Sequence, residues 1–134
     1  MKAKVIIEKA TDGTYDANME YLKDVPFGLL GQGKTVEETI EDFRNSYQEI
    51  QEMYRAEGKV CPELEFEFSY DTASFIQSFA YAFTLAGLER ITGVNQKQLG
   101  HYASGLRKPS RATIKKIEEG IRRFSNELSS VHFA

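Results

Sequence analysis

The sequence lacks tryptophan and contains one cysteine, Cys61, and two histidines, His101 and His132. A lone cysteine cannot form a disulfide within the chain, and it has no ligand cluster around it, which fits a reducing compartment. The isolated histidines indicate no metal site. The chain also lacks an apolar run of about eighteen residues, and its first residues lack a signal-peptide core. We therefore expect a cytoplasmic protein without a membrane span, metal or cofactor.

Basic residues are scarce in the first part of the chain and acidic residues in the last part. Residues 1–83 contain eight Lys and Arg against sixteen Asp and Glu, a net charge of −8. Residues 84–134 contain nine against four, a net charge of +5. A basic segment favours phosphate binding, whereas an acidic segment favours a basic protein. The two parts are expected to have different partners.

Residues 1–71 show the alternation typical of a small α+β domain. Thr35 and Glu38 form a capping box that starts a long helix, and Gly58 ends it. The turn signal Thr11–Thr14 predicts a hairpin, and Tyr15, Ala17, Met19 and Tyr21 are expected on one buried strand face. Strands are predicted at Lys4–Lys9, Tyr15–Tyr21, around Phe27–Gln32 and at Leu64–Tyr70. The predicted order is β-β-β-α-β.

Residues 72–134 predict a second, all-helical domain. Its first helix has an apolar side made by Phe75, Ile76, Phe79 and Phe83, and Thr84 caps a second helix that runs to Ile91. Gly93 allows a sharp turn, after which Asn95 caps a third helix. Gln98 is expected to reach back to that cap as in a capping box. Gly105 and Pro109 end the helix.

This third helix has the pattern of a DNA-recognition helix. Leu99 and Tyr102 are expected to be buried, whereas Gln96, Lys97 and His101 point outward. A short helix with such an outer face fits a major groove. The candidate DNA-binding residues are Asn95, Gln96, Lys97 and His101, followed by the phosphate-binding residues Arg107, Lys108 and Arg111.

The last helical stretch carries a short heptad-like seam of apolar residues. Its members are Ile114, Ile117, Ile121, Phe124, Leu128 and Val131. Such a seam either covers the core of its own domain or joins two copies of the chain, and we expect a homodimer or a higher homo-oligomer. Gly120 lies within the stretch and is a candidate break, because glycine costs about 1 kcal/mol relative to alanine in a helix.

Two enzyme-like patterns are present, and both are better explained as structure. Gly28–Thr35 fits the G-x-x-x-x-G-K-[ST] phosphate loop, but the preceding residues include charges and a proline rather than a buried apolar strand. Acidic residues at the helix start would also repel phosphate. Asp12, Asp16 and Glu20 are carboxylates on or beside one strand, explained by a turn and a solvent-facing strand face. We predict no catalytic residues and no enzyme activity.

The residues resemble a known family. Gly28–Thr39, read as GLLGQGKTVEET after a hairpin, resembles HicB-like antitoxins, and Gly93–Ser110, read as GVNQKQLGHYASGLRKPS, resembles the phage-repressor type of helix-turn-helix. The motif departs from the usual pattern at Glu89, four residues before the turn glycine, where a small residue is common. The resemblance implies a partial ribonuclease-H-like domain over 1–71 and a helix-turn-helix domain over 72–134.

The resemblance also implies a function. A HicB-like antitoxin of a type II toxin–antitoxin pair binds and neutralises a small HicA-like mRNA-cleaving toxin and represses its own operon by binding double-stranded DNA. The acidic first part would complement such a basic toxin. Two alternatives remain open: a stand-alone helix-turn-helix transcriptional regulator, and a protein-interaction module whose helices serve as a docking surface.

Overall fold

The computed structural model describes residues 1–134 and divides them into two compact units, unit 1 (Met1–Asp71) and unit 2 (Thr72–Ala134). The α+β class predicted from the sequence is confirmed as a four-stranded mixed sheet and five helices. The strands are β1 (Lys2–Lys9), β2 (Tyr15–Met19), β3 (Leu30–Gly33) and β4 (Glu65–Tyr70). The helices are α1 (Val36–Ala56), α2 (Thr72–Ser78), α3 (Leu85–Thr92), α4 (Gln96–Ala103) and α5 (Arg111–Ser129).

Unit 1 has the predicted β-β-β-α-β order, and its strands lie in the order β3-β2-β1-β4. β1 and β2 form an antiparallel hairpin, and β4 runs parallel to β1. In the hairpin turn the Asp12 carboxylate accepts bonds from the Thr14 amide, 3.0 Å, and the Thr14 hydroxyl, 2.6 Å. These bonds stabilise the charged carboxylate and lower its pKa.

Helix α1 covers one face of the sheet and starts as predicted. The Thr35 hydroxyl accepts the Glu38 amide at 3.1 Å, and the Glu38 carboxylate accepts the Lys34 amide at 3.0 Å. The helix ends before Gly58, which adopts φ +69°. Phe43 is fully buried on the sheet side and makes edge-on contact with the ring of Phe66, 4.9 Å between centroids.

The segment that fits the phosphate-loop pattern contains β3, which packs against α1. A Cβ on Gly31 would lie 2.6 Å from the Phe43 amide nitrogen, so only glycine allows this approach. On the outer edge of β3, the Gln32 amide donates to Asp42 and the Leu30 carbonyl accepts from the Ser46 hydroxyl, each at 2.9 Å. The segment is therefore bound to its own helix.

Two predictions on strand and helix ends are wrong. Tyr21 is 85% exposed rather than buried, because β2 ends at Met19 and Leu29 from the returning loop is buried instead. Phe79 and Phe83 lie beyond α2, which ends at Ser78 and is followed by turns. In these turns the Phe79 amide still donates to the Phe75 carbonyl, and the Phe83 amide to the Phe79 carbonyl. The four-residue spacing of the aromatic residues therefore extends beyond the helix.

In unit 2, α5 packs on α3 and closes a core that includes Leu88, Leu99 and Ile117. The break considered at Gly120 is absent, because α5 is continuous through this residue. A Cβ at Gly120 would lie 2.6 Å from the Ile91 carbonyl oxygen, so glycine allows α5 to pack closely on α3. The middle of the apolar seam therefore covers its own core. The ends of the seam differ: Ile114, Leu128 and Val131 are 43%, 59% and 51% exposed. None of the five helices combines the length and the apolar character that a membrane span needs.

Candidate nucleic-acid interface

The turn between α3 and α4 is fixed by short-range bonds. Gly93 adopts φ +74° and donates its amide to the Glu89 carbonyl at 2.7 Å. The Thr92 hydroxyl donates to the Leu88 carbonyl at 2.7 Å and accepts the Val94 amide at 3.1 Å. Val94 is buried, so the turn is anchored in the core of unit 2.

The start of α4 is capped from two sides. The Asn95 side chain accepts the Lys97 amide at 2.8 Å, and the Glu89 carboxylate of α3 accepts the Gln96 amide at 3.1 Å. The predicted capping box through Gln98 is wrong. Asn95 accepts the amide at the second helical position instead of the third, and the Gln98 side chain remains exposed without a hydrogen bond.

The side chains of α4 divide as the sequence predicts, except that His101 is half-buried rather than exposed. Leu99 and Tyr102 are 1% and 5% exposed, and they hold the helix against the core. Gln96 and Lys97 are exposed on the first turn, and His101, one turn after Lys97, is half-buried. The candidate base-reading side chains thus share a short helix, while the Asn95 side chain is occupied as the cap.

The carboxyl end of α4 leads into a basic loop. Gly105 adopts φ +79°, and the Arg107 amide donates back to the His101 carbonyl at 3.3 Å. Arg107, Lys108 and Arg111 are exposed and form no ion pair, so all three charges are available to a ligand. Ser110 caps α5 immediately before Arg111 through its bond from the Thr113 amide.

Three polar side chains that the sequence reasoning did not assign hold α4 and its turn. Besides Glu89, Gln77 of α2 donates to the Ala103 carbonyl at 2.6 Å, and Lys116 of α5 donates to the Gly93 carbonyl at 3.2 Å. The partners are 7, 26 and 23 residues apart. A pattern confined to one helix carries no signal of such bonds, although the unusual Glu89 marks one of them.

The surface charge of unit 2 is unevenly compensated. On α5, Glu118 and Glu119 lie within ion-pair distance of Arg122 and Lys115, 3.4 Å and 3.9 Å. Glu89 is the only acidic residue between positions 72 and 117. The region around α4 and its following loop is therefore predominantly basic, as a phosphate-binding surface requires.

No group of three or more His, Cys, Asp or Glu side chains lies close enough to hold a metal ion. Comparisons of this chain with protein-family models, with curated proteins and with solved structures give no match. The residues and geometry described above are therefore the basis for assigning a function.

Proposed function

We propose that the protein is a sequence-specific DNA-binding repressor in which α3, the Gly93 turn and α4 act as a helix-turn-helix. One observation carries the proposal: Gln96 and Lys97 are exposed on the first turn of α4, while Leu99 and Tyr102 anchor its other side. A short helix held in this way has the width and outer face that the major groove admits.

In this proposal the exposed side chains of α4 read base edges. The side-chain amide of Gln96 pairs with adenine and the Lys97 ammonium with guanine. Each such pair discriminates against the wrong base by about 1–3 kcal/mol. His101 reaches the groove from the next turn. Arg107, Lys108 and Arg111 bind phosphates and fix the register of the helix on the duplex.

The test is footprinting of the protein on the DNA upstream of its own gene, followed by titrations of the protected duplex at several salt concentrations. Arg107→Ala/Lys108→Ala should lower the slope of log affinity against log salt by about 0.9 for each lost phosphate contact. Lys97→Ala should reduce preference for one base pair. Lys23→Ala, an exposed cation of unit 1, is the control and should bind like the wild type.

Two results would contradict this assignment. An unchanged salt slope and base preference in the unit 2 variants would mean that these residues do not contact DNA. If the wild type protects no DNA, the helices serve instead as a protein-docking surface.

Binding as a homodimer belongs to the same proposal. Dimeric repressors with this motif bind half-sites about one helical turn apart. The exposed Leu128 and Val131 near the end of α5 offer apolar area for a second copy. Sedimentation equilibrium tests the assembly, and Leu128→Glu should shift it to monomer.

The charge of unit 1 favours a second activity, that of an antitoxin. All the charges of residues 1–83 lie within 1–71, so unit 1 has a net charge of −8. Such a surface complements a basic HicA-like toxin that cleaves mRNA. The resemblance of Gly28–Thr39 to HicB-like antitoxins and the β-β-β-α-β order of unit 1 support this activity.

Coexpression with the product of a short basic reading frame next to the gene tests the antitoxin activity. We expect the two proteins to copurify, the complex to weaken as salt rises, and growth arrest by the partner to be relieved. If no complex forms, the protein acts as a stand-alone regulator.

A further inference from the structure

Glu89 occupies the position at which α4 would otherwise attract an anion. The free amides and the dipole of a helix start favour negative charge and make it a natural phosphate site. Here the carboxylate of Glu89 accepts the Gln96 amide at 3.1 Å, and Asn95 accepts the Lys97 amide. Two amides of the first turn are therefore already satisfied by the protein itself.

The charge of Glu89 is not neutralised by an ion pair. The protein has three ion pairs, and all of them lie elsewhere, at Lys59–Glu57 and on α5. The neighbouring Arg90 is exposed and unpaired. A negative charge thus lies at the first turn of α4, on the backbone amide of Gln96, in a region that is otherwise basic.

We infer that Glu89 is a specificity-determining residue, which caps α4 and repels phosphates from the start of that helix. This inference rests on the proposed DNA binding. A phosphate bound at the start of α4 would hold the protein on any duplex, because phosphates carry no sequence information. Repulsion at this point leaves phosphate binding to Arg107, Lys108 and Arg111 and reserves the first turn of α4 for base edges.

Glu89→Gln separates the charge from the cap. The glutamine amide retains an oxygen that accepts the Gln96 backbone amide, so the cap is kept. Only the favourable interaction of the charge with the helix dipole is lost, and the melting temperature should fall by no more than about 5 °C. Without the charge, affinity for a scrambled duplex should rise about threefold to tenfold, since a like-charge contact is removed. The salt slope should steepen by up to about 0.9 if one further phosphate is bound. Affinity for the protected duplex should rise less, so the ratio of the two affinities falls.

Glu127→Gln is the matched control, because it removes the same charge from an exposed and unpaired residue near the end of α5. It should leave the affinity ratio and the salt slope close to the wild-type values. Glu89→Ala removes both the charge and the cap. Unlike Glu89→Gln, it should weaken binding to the protected duplex.

Equal behaviour of Glu89→Gln and Glu127→Gln on both duplexes would overturn the inference while leaving the DNA-binding proposal intact. A lower affinity of Glu89→Gln for the scrambled duplex would also overturn it. If the wild-type protein binds neither duplex, the DNA-binding proposal fails, and the inference fails with it.

Discussion

Units 1 and 2 both use glycine to bring a helix against a neighbouring backbone, but they leave different groups exposed. In unit 1, Gly31 lets β3 contact α1, and Asp42 and Ser46 then bond to the outer edge of that strand. In unit 2, Gly120 lets α5 contact the end of α3, and polar side chains hold α4 from both ends. Close packing at a glycine thus accompanies a bonded outer edge of β3 in unit 1 and an exposed face of α4 in unit 2.

This difference decides which of the two motifs we assign a role in function. The segment of unit 1 that fits the phosphate-loop pattern contacts its own helix α1, and Gly31 and Gly33 allow that close packing. The polar residues of α4 have the opposite arrangement, because Gln96 and Lys97 remain exposed while the apolar residues secure the helix. Anchored exposed polar side chains are what recognition of a ligand requires.

Among the substitutions that test this comparison, we expect Gly31→Ala to cause the largest loss of stability. The added Cβ would lie 2.6 Å from both the Phe43 amide and the Thr39 carbonyl, and backbone atoms cannot turn aside. We expect a loss of about 3 kcal/mol or more in the free energy of unfolding. Urea denaturation followed by circular dichroism measures it.

Gly28→Ala is the matched control for this experiment. A Cβ at Gly28 meets nothing within 4 Å, so its effect should be close to zero. If Gly31→Ala were as stable as Gly28→Ala, the close contact between β3 and α1 would not be a requirement of unit 1.

A smaller loss is expected for Gly120→Ala in unit 2. Alanine favours a helix over glycine by about 1 kcal/mol, but its Cβ would lie 2.6 Å from the Ile91 carbonyl oxygen. The clash should outweigh the helix preference and leave a net loss of about 1–2 kcal/mol. Ser125→Ala, on the exposed side of the same helix, should be neutral or slightly stabilising. A net gain for Gly120→Ala in urea denaturation would show that α3 and α5 can separate without cost.

The sequence predicts those features of the fold that depend on neighbours within a few residues. The sequence predicts Thr35, Thr84 and Asn95 as caps, and each accepts a backbone amide two or three residues ahead. It also predicts Gly93 as a turn glycine, and Gly93 adopts positive φ.

The remaining features depend on contacts between distant segments. The bonds from Gln77 and Lys116 to the backbone around α4 join residues 26 and 23 positions apart, and no local pattern encodes them. The role of Gly120 also depends on a distant segment, because it allows the backbone of α3 to lie against α5. Helical spacing predicts the candidate base-reading residues, whereas the bond between Glu89 and the Gln96 backbone amide depends on how α3 and the start of α4 lie in three dimensions.

The smallest effect concerns the hairpin turn of unit 1, for which the all-helical unit 2 has no counterpart. Hydrogen bonds from Thr14 lower the pKa of Asp12 below its ordinary value of 3.8. A lowered pKa in the folded state means that the stabilisation is present above the unfolded value and is lost as pH falls through the folded value. Carboxylates titrate between about pH 6 and about pH 3. Over this range the melting temperature of the wild type should therefore fall slightly more than that of Thr14→Val, which lacks the hydroxyl donor. Equal pH dependence of the two proteins would show that the bond between the Thr14 hydroxyl and Asp12 does not stabilise the turn.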